Sequence, residues 1–192
     1  MTISKKLIST IKMLKVPAII AVSGFGGAGK STFTKALSNE VDLPIIGVDS
    51  FFRGFDIKNY SKWECFDFAR LEKDICLPFL KGNKQIKYRD FDWVNNSTGN
   101  MKKFSHSGII IIEGVGLFRP ELINYFSYMI WIDCPIEEAI KRGKQRDLAL
   151  NITSHDQYWD GIWRRNDEEY WTIYKPKEIA HDIIQSNYDQ SL

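Results

Sequence analysis

The sequence predicts an α/β fold in which helices cover both faces of a parallel β-sheet, giving a three-layer sandwich. Five short segments are apolar at nearly every position, which is typical of strands buried on both sides. These segments, at 18–22, 45–48, 109–112, 129–132 and 183–184, predict a sheet of about five strands. Helical patterns fall between the strands, and this alternation indicates a parallel sheet rather than separate all-α and all-β parts.

Helical spacing of apolar residues predicts an opening amphipathic helix, with Ile3, Leu7, Ile11 and Leu14 on one face and Pro17 after its end. Further helical patterns cover 31–40, 68–80, 136–147 and roughly 154–174. One region, about 85–104, does not fit the alternation. It has two polar and aromatic stretches around the turn-prone sequence NNSTGN, which predicts an inserted β-hairpin.

Composition indicates one globular domain over residues 1–192, with 44% hydrophobic and 26% charged residues. A net charge of +2 gives no sign of a nucleic-acid or membrane partner. The three cysteines, Cys65, Cys76 and Cys134, contain no C-x-x-C pair, so neither a disulfide framework nor a zinc site is expected. Lysines interrupt the N-terminal apolar residues, and no apolar run is long enough to span a bilayer. We therefore expect a soluble, cytoplasmic protein.

A glycine-rich stretch, GFGGAGKS, lies between the first predicted strand and the helix at 31–40. It matches G-x-x-x-x-G-K-[ST], in which glycines leave backbone N–H groups open to phosphate oxygens and the helix N-terminus attracts the same anion. The lysine side chain reaches the terminal phosphates, and the hydroxyl that follows it can bind Mg²⁺. The fold is therefore predicted to be that of a P-loop NTPase. The nucleotide-binding residues are Gly24, Gly26, Gly27, Ala28, Gly29, Lys30, Ser31 and Thr32, and Ser31 is also a metal ligand.

Acidic residues follow three of the predicted strands, and ligands of open α/β sheets bind at the carboxyl ends of strands. We expect Glu113 to hold Mg²⁺ and Asp49 to accept the proton of an attacking hydroxyl group. The alternative for either carboxylate is to cap the helix that follows. Asp133, which precedes Cys134 and Pro135, is expected to be such a cap.

Several motifs at matching intervals resemble the uridine kinase family of P-loop kinases and its relatives phosphoribulokinase and pantothenate kinase. The resemblance extends from about residue 19 to residue 184. Besides GFGGAGKS, the motifs are DSFF at 49–52, FDFARL at 66–71, the aromatic residues at 88–93, IIIIEGVG at 109–116, Arg142 with Arg146-Asp147, and the C-terminal pattern from Pro176 to Ile184.

The resemblance implies a kinase that uses ATP and Mg²⁺. It implies that Asp49 is the general base or orienter of the acceptor hydroxyl and that Glu113 helps to bind Mg²⁺. It also implies that Arg142 and Arg146 belong to a helical lid, about 142–155, and clamp the phosphates during transfer. The alternative for the two arginines is an ordinary solvated helix face.

The sequence differs from the family's motifs in the region expected to contact the phosphate acceptor and in the predicted lid. The family's Asp-His-Pro-Asp stretch reads Ser61-Lys62-Trp63-Glu64 here, and Leu150–Thr153 replaces its Arg-Gly-Arg. The acidic residue with which the family binds ribose hydroxyl groups is either missing here or replaced by Glu64. We expect the acceptor to contact Asp49, Phe52, Glu64, Tyr88, Phe91 and Trp93, and Trp63 as a weaker candidate. Trp159, Trp163 and Trp171 are expected to pack a long helix against the sheet, and Trp131 to lie in the core.

The sequence therefore predicts transfer of the γ-phosphate of ATP to a hydroxyl group of a small metabolite. A nucleoside such as uridine or cytidine is the leading acceptor. Two alternatives stay open: a kinase of a non-nucleoside sugar or vitamin-like alcohol, and a regulatory P-loop protein that only senses nucleotide. The resemblance is compatible with a homo-oligomer, although no residue pattern identifies an interface.

Overall fold

A parallel sheet of five strands forms the middle layer, and a separate two-stranded hairpin lies beside it. The computed structural model describes residues 2–152 and 155–186. The strands are β1 (Ala18–Ser23), β2 (Ile45–Gly47), β3 (Gln85–Asp92), β4 (Ser97–Ser105), β5 (Ile109–Glu113), β6 (Tyr128–Asp133) and β7 (Asp182–Gln185). The order across the parallel sheet is β2–β5–β1–β6–β7, so β1 lies at its centre, and every residue of β1 is buried. This arrangement confirms the predicted α/β fold.

Helices cover both faces of this sheet. They are α1 (Lys5–Lys12), α2 (Lys30–Val41), α3 (Phe68–Leu71), α4 (Leu77–Leu80), α5 (Ile136–Ala149), α6 (Asp156–Asp160), α7 (Ile162–Tyr174) and α8 (Pro176–Ile179). A π-helical turn, Glu72–Cys76, joins α3 to α4, and 3-10 turns span Val48–Phe51 and Ile123–Tyr125. None of the helices within residues 2–152 and 155–186 combines the length and the apolar character that crossing a bilayer requires.

The predicted helix at 154–174 is two helices in the structure, and its first residue lies outside the described part of the chain. The break is at Gly161, whose backbone (φ −105°, ψ −107°) is not helical. A β-carbon there would lie 2.7 Å from the carbonyl oxygen of Gln157, so the turn needs glycine. The break separates α6 from α7 and lets α6 pack beside α5 rather than continue along the sheet.

The inserted hairpin consists of β3 and β4, paired antiparallel from Gln85 opposite Ser105 to Asp92 opposite Ser97. A bulge interrupts the pairing between Arg89 and Phe91. An extra residue in one strand changes which side chains share a face. Tyr88 and Phe91 are consequently both buried, although three positions separate them in the sequence.

The guanidinium group of Arg70 ties the hairpin to the turn that follows β2. It donates hydrogen bonds to the carbonyl oxygens of Ser50 (2.7 Å) and Arg89 (3.2 Å) and lies over the ring of Phe51. Phe51 also stacks on Tyr88, with ring centroids 5.6 Å apart. The hairpin is therefore held against the carboxyl end of the sheet, where a P-loop fold binds its ligands.

Helix α7 is anchored to the sheet by the hydroxyl group of the fully buried Tyr170. This hydroxyl accepts a hydrogen bond from the backbone N–H of Phe118 (2.9 Å) and lies 3.2 Å from the Ser23 hydroxyl at the end of β1. The anchor fixes the position of α7 relative to the loop that follows β1.

We expect Tyr170→Phe to lower the free energy of unfolding by about 1–3 kcal/mol, because the buried N–H of Phe118 loses its acceptor. The measurement is the midpoint and slope of urea unfolding. Tyr174→Phe on the same helix is the control, since its hydroxyl makes no hydrogen bond among the described residues. Equal effects of the two substitutions would contradict the assigned role of Tyr170.

Candidate active site

The glycine-rich loop connects β1 to α2 and lines one end of a large cavity. Gly27 (φ +79°) and Gly29 (φ +96°) have left-handed backbone conformations that favour glycine. A β-carbon on Gly27 would lie 2.0 Å from the carbonyl oxygen of Ala139, so the loop packs directly on α5. The first turn of α2, Lys30 to Thr32, lines the cavity, and the open amides of a helix N-terminus attract anions.

Six of the eight predicted nucleotide-binding residues line this cavity: Gly26, Gly27, Gly29, Lys30, Ser31 and Thr32. The other two do not line it. Gly24 packs against β6, where a β-carbon would come within 2.9 Å of the Ile132 carbonyl oxygen, and Ala28 is fully buried. These two residues pack the loop against the protein interior, on the side away from the cavity.

The ammonium group of Lys30 is buried and donates hydrogen bonds to carbonyl oxygens of its own loop, at Gly24 (3.1 Å) and Phe25 (2.8 Å). Burial lowers the pKa of Lys30, while the carboxylates of Glu113, Asp167 and Asp49 oppose that shift. These three carboxylates come from different parts of the chain, and the fold brings them around a single ammonium group.

Asp49 lies in the 3-10 turn that directly follows β2, and its side chain reaches the cavity. The N-terminus of that turn has no side-chain cap, so the capping alternative does not describe Asp49. Surrounding protein raises the pKa of the Asp49 carboxyl group, and the charges of Lys30 and Arg146 oppose the rise. A carboxylate whose pKa is raised in this way is a better proton acceptor.

Glu113 ends β5 beside the phosphate loop, and its Oε1 atom accepts a hydrogen bond of 3.1 Å from the Ser31 hydroxyl. Burial raises the pKa of the Glu113 carboxyl group, while Lys30 opposes the rise. The residues predicted to bind Mg²⁺ therefore present two oxygen atoms side by side, and oxygen is the ligand that Mg²⁺ prefers.

No group of three or more His, Cys, Asp or Glu side chains in residues 2–152 and 155–186 is arranged to hold a metal on its own. The Ser31 hydroxyl and the Glu113 carboxylate suit Mg²⁺, which commonly binds through one or two protein oxygens together with substrate phosphates and water. Ser31 and Glu113 are the residues that would hold it.

The two arginines of the predicted lid both line the cavity from α5, and each of them has hydrogen-bond partners. Arg142 donates to Glu138 (2.9 Å) and to the Ser186 hydroxyl (2.6 Å), and Arg146 donates to Asp147 (2.9 Å). The side chain of Arg146 is 59% exposed, and its charge opposes the rise in the pKa of Asp49 and adds to the lowering of the pKa of Lys30. Residues 153 and 154 of the predicted lid lie outside the described part of the chain.

Aromatic side chains form a second part of the cavity lining, called here the aromatic wall. They are Phe52, Phe55, Tyr60, Trp63, Phe66 and Trp93. Phe52 and Trp93 are stacked, with ring centroids 5.0 Å apart and planes 13° apart, and Trp93 is 47% exposed. The hairpin therefore contributes Trp93 to this wall, next to Asp49 and Phe52 from the turn after β2.

Three predicted acceptor contacts lie elsewhere in the structure. Tyr88 is buried against Phe51, and Phe91 is buried edge-on against Phe52 and Trp93. Glu64 is exposed and forms an ion pair of 3.6 Å with Lys62. Tyr88 and Phe91 thus support the aromatic wall from behind, and Glu64 does not line the cavity.

Trp159 also lines the cavity, contrary to the expectation that it packs a helix against the sheet. Its ring covers Gly143 of α5 and approaches Gly26 of the phosphate loop. Its indole N–H donates a hydrogen bond of 2.8 Å to the buried carboxylate of Asp147. The sequence signal for this contact is the isolated glycine at position 143 inside a helical pattern.

Asp167 of α7 is a buried carboxylate that the sequence analysis did not identify. One of its oxygens accepts the backbone N–H of Gly26 (2.9 Å), and the other accepts the indole N–H of Trp63 (2.9 Å). Burial raises the pKa of Asp167 to about 7, although Lys30 and the two hydrogen bonds favour the ionised form.

Asp133 is a further correction, because it does not cap α5. That helix begins after Pro135 without a side-chain cap. The Asp133 carboxylate instead accepts hydrogen bonds from Lys177 (2.7 Å) and Gln185 (3.0 Å), which join β6 to β7 and α8. The C-terminal strand is fixed to the sheet by these contacts.

A parallel sheet whose central strand leads through a glycine-rich loop into a helix, with a lysine and two carboxylates at the same edge, defines a P-loop NTPase fold. Comparison with known proteins agrees with this class. No known protein-family profile matches the chain.

The chain is 26% identical over 185 residues to a uridine kinase from Lactobacillus helveticus (strain DPC 4571), covering 89% of this chain and 87% of the relative. It is 26% identical over 144 residues to a shikimate kinase from Staphylococcus epidermidis (strain ATCC 12228), covering 75% of this chain and 74% of the relative. A structure assigned as a fructose transport system kinase, from Silicibacter sp. TM1040, superposes with a TM-score of 0.76 at 21% identity, covering 93% of this chain and 97% of the other. These likenesses confirm the resemblance to uridine kinase-like P-loop kinases and the predicted fold.

We expect Gly143→Ala to destabilise the protein by about 1–3 kcal/mol, because its β-carbon would lie 2.2 Å from the Trp159 ring. Helix propensity alone would stabilise the same substitution by about 1 kcal/mol, so the sign of the effect tests the contact. The measurement is urea unfolding of Gly143→Ala, Trp159→Ala and the double variant. If the effects of the two single substitutions simply add, the two residues are not in contact.

A second prediction concerns the stability contributed by Asp167 at different pH values. An unfolded aspartate has a pKa of about 3.9, whereas folded Asp167 has a pKa of about 7. Between these values the folded state holds a proton that the unfolded state releases, so this group lowers the free energy of unfolding as pH rises, by up to about 1.4 kcal/mol per pH unit.

Asp167→Asn removes this titration. We therefore expect the stability of the wild type relative to the variant to fall between pH 4 and pH 7 and to level off above it. The measurement is chemical unfolding of both proteins across this range. A difference that does not depend on pH would contradict the raised pKa of Asp167.

Proposed function

We propose that this protein is an ATP- and Mg²⁺-dependent phosphotransferase that transfers the γ-phosphoryl group to a hydroxyl group of a small metabolite, most readily a nucleoside. The observation that carries the proposal is one cavity of about 1490 Å³, shared by the phosphate loop, Asp49 and the aromatic wall. Sites for a single small ligand usually measure about 300–1,000 Å³. This cavity is therefore large enough for a nucleotide and an acceptor together.

The shared lining of one cavity by the phosphate loop, Asp49 and Arg146 supports a direct transfer step. With the phosphates of ATP on the loop, the acceptor hydroxyl would lie between the γ-phosphorus and the Asp49 carboxylate. Asp49 would take the hydroxyl proton as the acceptor oxygen bonds to phosphorus and the bond from phosphorus to the β–γ bridging oxygen breaks, releasing ADP. Lys30 and Arg146 would stabilise the negative charge on the transferring group.

Mg²⁺, when bound, would neutralise charge on the β- and γ-phosphates, and Ser31 and Glu113 are the residues that would hold it. The hydrogen bond between these two side chains keeps both oxygens at the same edge of the loop. Arg142 would contribute a second guanidinium group from α5, although its present contacts are with Glu138 and Ser186.

The acceptor wall favours a planar ring over a polyol. Its surface consists largely of aromatic rings, and Trp93 offers an exposed indole stacked on Phe52. A base stacked on such a ring gains about 1–3 kcal/mol, whereas a sugar alcohol would leave several hydroxyl groups without polar partners. This is the reason to place a nucleoside before a sugar or a vitamin-like alcohol.

The proposal includes a cytoplasmic location, where ATP is available and thiols stay reduced. Cys65, Cys76 and Cys134 are all buried, and none of them forms a disulfide within the described residues, which suits that compartment.

The first test is Asp49→Asn. We expect the rate of acceptor phosphorylation to fall by about 10²–10⁴-fold, while the affinity for ATP changes little, because only the proton acceptor is lost. The measurements are steady-state phosphorylation and equilibrium binding of MgATP. Asp42→Asn is the matched control, because Asp42 is exposed at the end of α2 and asparagine tolerates its left-handed conformation (φ +51°).

The second test is acceptor-dependent formation of ADP across nucleosides, sugars, sugar alcohols and vitamin-like alcohols. Stimulation by nucleosides supports the proposal, and stimulation only by another alcohol keeps the kinase but changes its acceptor. If no hydroxyl compound raises ADP formation above background and Asp49→Asn has no effect, a nucleotide-sensing protein becomes the better description.

A further inference from the structure

The segment from Tyr60 to Trp63, which lines the acceptor side of the cavity, is held in place by side chains of α7. The backbone N–H of Trp63 donates to Asn166 (2.6 Å), and that of Lys62 donates to Glu169 (3.1 Å). The Asn166 amide in turn donates to the carbonyl oxygen of Tyr60 (3.2 Å). Asn166 is fully buried, so its bond to the backbone of Trp63 is shielded from water.

This segment has an unusual backbone. Lys62 (φ +49°) and Trp63 (φ +63°) are consecutive non-glycine residues in the left-handed region. Side chains rarely adopt this conformation, and it persists only where surrounding contacts impose it. The contacts from α7 are therefore what fixes the position of the Trp63 side chain in the cavity.

Asp167, one position after Asn166, extends this set of contacts to the phosphate loop. Its two oxygens bind separate groups, the Gly26 amide and the Trp63 indole, each at 2.9 Å. The carboxylate is 2% exposed, so water cannot readily replace either partner. We propose that Asp167 is a positioning residue that couples occupancy of the phosphate loop to the placement of Trp63 on the acceptor side.

The coupling follows from charge and geometry and rests on the nucleotide binding proposed above. A phosphate group that approaches the loop competes for the Gly26 amide and brings negative charge close to the Asp167 carboxylate. The ammonium group of Lys30 interacts electrostatically with the Asp167 carboxylate and donates a hydrogen bond to the Phe25 carbonyl oxygen of the same loop. Weakening of the Gly26 bond strengthens the bond to Trp63, because a buried carboxylate with one donor fewer depends more on the remaining donor.

The experiment is fluorine NMR of the full chain labelled with 5-fluorotryptophan, which gives signals from six tryptophans. Trp63→Phe identifies the signal of Trp63. MgADP and a non-hydrolysable MgATP analogue are then titrated while their binding is measured in parallel. We expect the Trp63 signal to shift with the same concentration dependence as binding, and we expect the shift to be at least halved in Asp167→Asn.

Asp133→Asn is the matched control, because Asp133 also accepts an indole N–H, from Trp131 (3.3 Å), but does not bond to the phosphate loop. This variant should keep the full Trp63 response. A merely structural role of Asp167 would lower stability without removing the response. If nucleotide binds and the Trp63 signal does not move in the wild type, or moves equally in Asp167→Asn, the inference is overturned and the proposed function is not.

A second measurement covers the case in which Asp167→Asn does not fold. Amide hydrogen exchange of the segment 60–64 is compared with and without MgADP in the wild type and in Trp63→Phe, which keeps the carboxylate but removes the indole donor. We expect nucleotide to slow exchange of this segment in the wild type and to have a smaller effect in Trp63→Phe. Equal effects would overturn the inference, and absence of any nucleotide binding would overturn the proposed function together with it.

Discussion

The site depends on one buried cation, the Lys30 ammonium group. Removing a charge from water is costly unless opposite charge or hydrogen-bond acceptors surround it, and here two loop carbonyl groups and three carboxylates do so. Asp49, Glu113 and Asp167 come from the turn after β2, the end of β5 and helix α7. The positive charge of this single lysine is therefore balanced by carboxylates from three parts of the chain that are distant in sequence. Burial raises the pKa of the Glu113 and Asp167 carboxyl groups, and the surrounding protein raises the pKa of Asp49, so stability and reactivity have a common origin.

The two ends of the cavity are lined by different kinds of chemical groups. At the phosphate-loop end, backbone amides and charged side chains are fixed by the parallel sheet and the N-terminus of α2. At the acceptor end, aromatic rings are supplied by the irregular chain after β2 and by the hairpin. Asp49 lies where the two ends meet, directly before Ser50, Phe51 and the stacked ring of Phe52. The short turn thus joins the polar end to the aromatic end within four residues.

Local sequence patterns were sufficient for the sheet, the phosphate loop and the positions of Asp49 and Glu113, because each depends on residues close together in the chain. Asp167 and Trp159 could not be predicted in this way. Their roles depend on contacts with Gly26 and Gly143, which exist only after α6 and α7 have packed. Tyr88 and Phe91 show another limit, since the bulge in β3 that turns both of them inward has no clear sequence signature.

The hairpin of β3 and β4 shares no strand with the parallel sheet, yet it supplies Trp93 to the cavity. Its turn is also linked to the chain after β2, where Asn96 accepts the backbone N–H of Phe55. Substitutions in this hairpin can change the aromatic part of the cavity lining while the hydrogen bonds of the parallel sheet stay intact. Under the proposed function, substitutions in the hairpin would change which acceptors bind, while the groups at the end of the sheet that act on the phosphates would stay in place.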